Sequence, residues 1–270
     1  PYLVSRHYPI NKNMRKTIIA GNWKMYKTIT QAIELANGLK RELFSLDNRD
    51  IDIVICPPFT ALGEVSEVIV DSNIQLGAQD VHWEEEGAFT GEVSALMLQD
   101  AGCKFVIIGH SERRQYFGET NENVNKKIKA ALKCGVNPIV CVGETLSERE
   151  KDKTFNVLGD HIRNGLREIS EQDILKIVIA YEPVWAIGTG SNATPQQAQE
   201  AQKYIRNLLK SEYNEGIANK IRIQYGGSVK PENITELMSQ PDVDGALVGG
   251  ASLSVESFTE IVRRASEVKK

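Results

Sequence analysis

Ile177-Val178-Ile179-Ala180-Tyr181-Glu182-Pro183-Val184-Trp185-Ala186-Ile187, followed by Thr194-Pro195-Gln196-Gln197, contains the repeating unit of this chain. Ile177 to Tyr181 is a short apolar run, nearly continuous, as expected for a parallel strand covered on both faces. Thr194 reads as a helix N-cap, Pro195 as the first helical residue, and Gln197 as the partner in a capping box. The stretch therefore predicts a strand, a loop that opens with a carboxylate, and a helix.

The same alternation runs outward in both directions. Further strand-like runs are Thr17 to Gly21, Ile51 to Cys56, Ile74 to Ala78, Phe105 to Ile108, Pro138 to Val142, Ile221 to Tyr225 and Gly245 to Val248, each followed by an amphipathic segment. Ser147 with Glu150 forms a second candidate capping box, and Pro231 is placed to open the seventh helix. The pair Asn164-Gly165 weakens the fifth helical segment, because glycine costs about 1 kcal/mol there relative to alanine. Eight strand–helix units in series imply an all-parallel sheet, either open and doubly wound or closed. Eight units within 270 residues favour closure. The expected fold is α/β: one single-domain (β/α)8 barrel of eight parallel strands spanning residues 14–270.

Residues 1–13 differ from this pattern. They are polar, hold Pro1 and Pro9, and precede Met14-Arg15-Lys16, which reads as a native start. They lack an apolar signal core and are expected to be a disordered or appended extension. The remaining composition is ordinary for a globular protein, with 41% hydrophobic and 25% charged residues. A formal net charge of -4 argues against nucleic-acid or anionic-membrane partners. No apolar run is long enough to span a bilayer. Cys56, Cys103, Cys134 and Cys141 sit in or beside apolar stretches without a C-x-x-C pair, which predicts buried free thiols in a reducing compartment. His7, His82, His110 and His161 lack metal-ligand spacing, so no metal is expected.

In a barrel the site is built where strands end and βα loops begin. Those positions hold Asn22-Trp23-Lys24 after the first strand and Gly109-His110-Ser111-Glu112 after the fourth. Glu182-Pro183 follows the sixth, Gly226-Gly227-Ser228 the seventh, and Gly249-Gly250 the eighth. Glu182 caps an apolar strand and enters an apolar loop, where burial would raise its pKa toward that of a useful base. It can equally be a carboxylate paired with a structural cation. A helix starting at Ser111 would offer free N–H groups to a neutral His110, which could donate its other N–H to a substrate carbonyl; alone, it would read as a core histidine. Lys24 can neutralise oxyanion charge, form a Schiff base, or lie on the surface. Backbone N–H groups of Ser228, Gly249 and Gly250 can converge on a phosphate, although each glycine pair alone can merely supply turns at positive φ. Gly188-Thr189-Gly190 lacks the third glycine of a dinucleotide fingerprint.

Ala20-Gly21-Asn22-Trp23-Lys24-Met25, Gly87-Ala88-Phe89-Thr90-Gly91-Glu92, Gly109 to Arg114, Ala180 to Gly190 and Tyr225-Gly226-Gly227-Ser228-Val229 closely resemble the signature segments of the triosephosphate isomerase family. The resemblance runs in order from Met14 to near the carboxyl terminus. It implies the fold that takes its name from the family, the TIM barrel. It implies reversible conversion of dihydroxyacetone phosphate to glyceraldehyde 3-phosphate in glycolysis and gluconeogenesis, without a cofactor, in the cytoplasm. By position, Glu182 matches the base, His110 the electrophile, and Asn22 and Lys24 the substrate contacts. Gly188, Ser228, Gly249 and Gly250 match the phosphate contacts, and Pro183 to Gly190 the lid. The resemblance also implies a homodimer, with the loop from Val81 to Thr90 inserted near the partner's first loop; the sequence alone indicates only that Trp83 and Phe89 would be costly to expose. Tyr26 departs from the asparagine of many members. A Schiff-base aldolase using Lys24 and a phosphate-binding barrel without catalysis are the competing readings.

Overall fold

The computed structural model describes residues 15–46, 49, 51–187 and 193–268. The expectation for residues 1–13 lies outside them. The strands are β1 (Thr17–Asn22), β2 (Ile51–Cys56), β3 (Ile74–Ala78), β4 (Phe105–Ile108), β5 (Asn137–Val142), β6 (Val178–Tyr181), β7 (Arg222–Tyr225) and β8 (Gly245–Val248). Every strand pairs in parallel with its sequence neighbour, and β8 pairs with β1, closing the barrel. These are the eight apolar runs of the sequence, with ends displaced by one residue at most.

Alternation along each strand divides the side chains between two cores. Ile18, Ala20, Val54, Phe105, Ile107, Val178, Ala180 and Leu247 fill the interior with their neighbours. Their alternates, such as Ile19, Ile53, Val106 and Ile179, face the helices in the larger outer core. Both faces are dry, so a continuous apolar run is what such a strand needs. The two-residue period also carries Asn22 and Glu182 onto the inner face, at the carboxyl mouth. At the other mouth Asp52 is gripped by Lys16 at 2.7 Å and Arg222 at 2.5 Å, and Gln75 donates to it at 3.0 Å. Burial would raise the Asp52 pKa, but the two cations outweigh it and hold it below its ordinary value. That ionic plug leaves the carboxyl end as the open one.

The outer layer comprises α1 (Ile29–Leu43), α2 (Leu62–Ile69), α3 (Ala95–Asp100), α4 (Ser111–Phe117), α5 (Asn121–Lys133), α6 (Leu146–Glu150), α7 (Thr154–Gly165), α8 (Pro195–Glu212), α9 (Glu215–Ala218), α10 (Ile234–Met238) and α11 (Val255–Val268). The Thr194–Gln197 capping box opens α8 as expected, with Thr194 N donating to Gln197 Oε1 at 2.9 Å. The Ser147 box does not form. Helix α6 starts two residues earlier, and Thr145 with Glu148 makes the box. The two overlapping patterns differ only in where the helix begins. Pro231 sits in a turn and α10 begins at Ile234. Gly165 is the last residue of α7 rather than an interior break. All four cysteines are buried free thiols.

Candidate active site

A cavity of about 520 Å³ opens at the carboxyl end of the barrel. Asn22, Lys24, His110, Glu182, Ser228, Gly249 and Gly250 all line it, with Ile187 from the loop after β6. Residues from five strands, as far apart in sequence as Asn22 and Gly250, thus meet in one space. Gly188 lies outside the described residues, as does the rest of the expected lid to Gly190.

Glu182 follows β6 and is 2% exposed. Its Oε1 lies 2.9 Å from His110 Nε2, and its Oε2 accepts the backbone N–H of Ser111 at 3.0 Å. His110 is itself the N-cap of α4, and its Nδ1 accepts the N–H of Glu112 at 3.2 Å. In the neutral ring this bond places the proton on Nε2, facing the carboxylate. Gly109 at φ 73 makes the turn that lets β4 end and α4 begin around this imidazole.

The sequence reading expected burial to raise the pKa of Glu182. Burial does act that way, but His110 and the Ser111 N–H outweigh it, and the carboxyl is held below its ordinary value. For His110, burial favours the uncharged ring, while the Glu182 carboxylate more than offsets it and lifts the pKa above its ordinary value. Two influences thus compete at one ring: the carboxylate draws a second proton onto it, and the Glu112 N–H requires Nδ1 bare. Cys141 lies fully buried beside the same carboxylate, and burial first, then Glu182, pushes its thiol well up, so it stays neutral.

Lys24 is held in the left-handed region at φ 53, a conformation that a non-glycine residue adopts only when neighbours compensate. They do: its N–H bonds Asn22 Oδ1 at 3.0 Å, and Gln79 Nε2 donates to its carbonyl at 2.8 Å. Its Nζ pairs with Glu112 Oε1 at 2.6 Å. An ion-paired ammonium suits electrostatic work, whereas imine formation needs a free amine. The Glu112 N–H bond to His110 is the one expected of a helix starting at Ser111. Gln79 on the Lys24 carbonyl, the Ser111 N–H on Glu182 and the Glu112 carboxylate on Lys24 have no signal in spacing, because these partners lie 55 to 88 residues apart. Glu144 was also missed; it is fully buried and accepts from Trp185 Nε1 at 2.9 Å and Tyr181 Oη at 3.2 Å, anchoring the start of the loop after β6.

The glycine turns do not follow the alternative reading, that they merely supply positive φ. Gly226, Gly227, Gly249 and Gly250 all avoid positive φ. Gly226 is required by space instead: a Cβ there would lie 2.9 Å from Glu182 Cγ. Ser228 and the Gly249-Gly250 pair border the cavity, and Gly250 starts a 3-10 turn to Leu253. Among the described residues, no group of His, Cys, Asp and Glu is arranged to hold a metal ion.

The sequence relationships agree with this geometry over nearly the whole chain. The family sequence model described as Triosephosphate isomerase matches residues 17–265. The triosephosphate isomerase of Carboxydothermus hydrogenoformans is 59% identical over 252 residues, covering 93% of this chain and 99% of the relative. That of Geobacter metallireducens is 59% identical over 251 residues, covering 92% and 98%, and that of Endomicrobium trichonymphae is 55% identical over 250 residues, covering 93% and 99%. A closed barrel and a match running from β1 to α11 leave one assignment: the chain belongs to the triosephosphate isomerase family.

Proposed function

We propose that this protein interconverts dihydroxyacetone phosphate and D-glyceraldehyde 3-phosphate by a 1,2-proton shift through an enediolate, a step of glycolysis and gluconeogenesis. The observation that carries the reading is a buried carboxylate, Glu182, sharing one cavity with a tautomer-fixed imidazole and two glycine turns. Glu182 leaves its contact with His110 and takes the proton from C1. The C–H electron pair forms the C1–C2 double bond, and the carbonyl electrons move to the C2 oxygen. His110 Nε2–H donates to that oxygen, and Lys24 offsets its charge. The enediol proton passes between the two oxygens, and Glu182 returns its proton to C2. Once Glu182 moves off, the main anionic influence on His110 goes with it, and burial then favours the neutral ring.

Asn22 and Lys24 contact the substrate, and the N–H groups of Gly188, Ser228, Gly249 and Gly250 hold its phosphate. Closure of the loop Pro183 to Gly190, with Ile187 over the site, excludes water and keeps the enediolate phosphate from eliminating. A proton shift with one base and one oxyanion site needs no cofactor. Residues 14–270 form the enzyme domain, and its compartment is the cytoplasm, in keeping with four free thiols. No helix among the described residues is long and apolar enough to cross a membrane.

The active assembly in this reading is a homodimer. Met25 is 94% exposed and Phe117 69%, and Tyr26, Phe89, Leu96 and Met97 are also exposed. The loops carrying them are neighbours: Gln79, just after β3, holds Lys24, and Arg113, over the Phe117 ring at 5.0 Å, pairs with Asp80. An apolar surface of this kind is the sort that a second copy covers. The direct test is a coupled assay of aldehyde formation from dihydroxyacetone phosphate. Turnover without added metal or cofactor is expected. Absence of turnover, together with borohydride trapping of Lys24 in the presence of the ketone, would transfer the assignment to an aldolase.

A further inference from the structure

The charges in the cavity are unevenly committed. Lys24 is held by Glu112 at 2.6 Å and Glu182 by His110 at 2.9 Å. Two more charged residues, Lys230 and Glu232, line the same cavity and are exposed. Among the described residues neither side chain has an ion pair or hydrogen bond, with each other or with any neighbour. Their backbone is nevertheless fixed. Lys230 N donates to Asn233 Oδ1 at 2.8 Å, Asn233 Nδ2 donates to the Ser228 carbonyl at 3.0 Å, and Arg264 Nη1 donates to the Pro231 carbonyl at 3.0 Å. The segment that presents Ser228 to the cavity thus continues directly into a rigid turn bearing one unpaired cation and one unpaired anion.

We infer that Lys230 and Glu232 are opposed steering charges for the phosphate of the substrate: Lys230 speeds capture of the dianion and Glu232 slows it. The inference rests on the reading that this cavity takes a phosphorylated triose. Both groups are hydrated, so neither bears a large desolvation cost, and each acts through its field over about a Debye length. Rim charges of this kind change the association rate rather than the chemical step. Neither is placed to touch the reacting carbons, which lie with Glu182 and His110. Lys24 is a poorer long-range attractor than its position suggests, because Glu112 cancels most of its distant field. Lys230 is therefore the cavity's attractor that no ion pair holds, and Glu232, two residues away, opposes it. Each charge acts on the phosphate dianion, and a triose without phosphate feels neither.

The test compares Lys230→Gln, Glu232→Gln and the double variant with the unaltered enzyme. It uses kcat/KM for D-glyceraldehyde 3-phosphate at about 10 mM and about 0.5 M ionic strength, a range over which the Debye length falls from about 30 Å to a few ångströms. D-glyceraldehyde serves as the phosphate-free substrate. At low salt, Lys230→Gln is expected to lower kcat/KM on the order of three- to tenfold, and Glu232→Gln to raise it on the same order. The double variant should return near the unaltered value. All three differences should vanish at high salt and be absent for D-glyceraldehyde. Shifts of the same sign in both single variants, shifts that persist at high salt, or equal shifts with D-glyceraldehyde would overturn steering. If the unaltered enzyme fails to turn over the phosphorylated substrate, the isomerase reading falls first and steering with it.

Discussion

At the scale of single residues, Glu182 is held by two donors that come from one short helix start: the His110 ring and the Ser111 N–H. Moving its carboxylate back by one methylene in Glu182→Asp leaves both donors and the cavity in place but retracts the base by about 1 Å, a displacement that costs roughly 10²-fold in rate. The expected result is that loss in kcat with an unchanged circular dichroism spectrum; near-normal turnover would remove Glu182 as the base. The pair also predicts a titration. With Glu182→Gln the anionic partner is gone, burial and Lys24 act unopposed by it, and the His110 pKa should fall below its ordinary 6.5. Nitrogen-15 spectra of the ring would show a neutral Nε2–H tautomer persisting into acid. A ring that still charges above pH 6.5 would contradict the role given to Glu182. For stability the signs are opposite for the two partners. The depressed Glu182 contributes above its unfolded 4.5 and loses that contribution as pH falls through its lower folded value. The raised His110 contributes below its unfolded 6.5 and loses it as pH rises through its higher folded value. The pair's contribution therefore peaks between about 4.5 and 6.5, and His110→Gln should flatten the stability curve there. The candidate residues were legible because they end strands, and so was the local N–H donor to His110, but their long-range partners were not. Lys24 meets Glu112 across 88 residues, and no local pattern encodes such a meeting.

At the scale of elements, strand positions were legible because parallel strands buried on both faces need uninterrupted apolar residues. Helix starts were less so. Thr145 and Ser147 each precede a glutamate by three, and only tertiary packing selects the first. At the glycines after β7 and β8 the sequence records the missing side chain and not its reason. At Gly226 the reason is the close approach of Glu182. Gly226→Ala should therefore leave the barrel folded yet displace the base, lowering kcat more than it raises KM; unchanged kinetics would show that the contact is slack. The Thr194–Gln197 box fixes the helix that follows the lid. Thr194→Ala should cost about 1 kcal/mol, a drop of roughly 2–4 °C in Tm for a protein of this size, and a drop below 1 °C would mean that the cap contributes little.

At the scale of the whole molecule, barrel closure gathers loops from distant sequence at one mouth, and the Asp52 plug shuts the other. The loops after β1 and β3 both feed the exposed apolar surface and are joined through Gln79. In the proposed homodimer, disturbing a contact there should consequently reach Lys24. Phe89, which lies 4.6 Å from the His82 ring and is partly exposed, gives the handle. Phe89→Asp should shift sedimentation from dimer toward monomer and lower activity together. A monomer with full activity would separate assembly from catalysis. None of this was readable from composition, because a covered apolar loop and an exposed one have the same residues.

The central claim is that one carboxylate, Glu182, carries the proton between two adjacent carbons. The direct measurement is proton NMR of glyceraldehyde 3-phosphate formed from dihydroxyacetone phosphate in D₂O, with the unaltered enzyme and with Glu182→Gln. The account predicts solvent deuterium at C2 with the unaltered enzyme and a fall of about 10²–10⁴-fold in both turnover and deuterium incorporation with the variant. Incorporation by Glu182→Gln at an undiminished rate would contradict it.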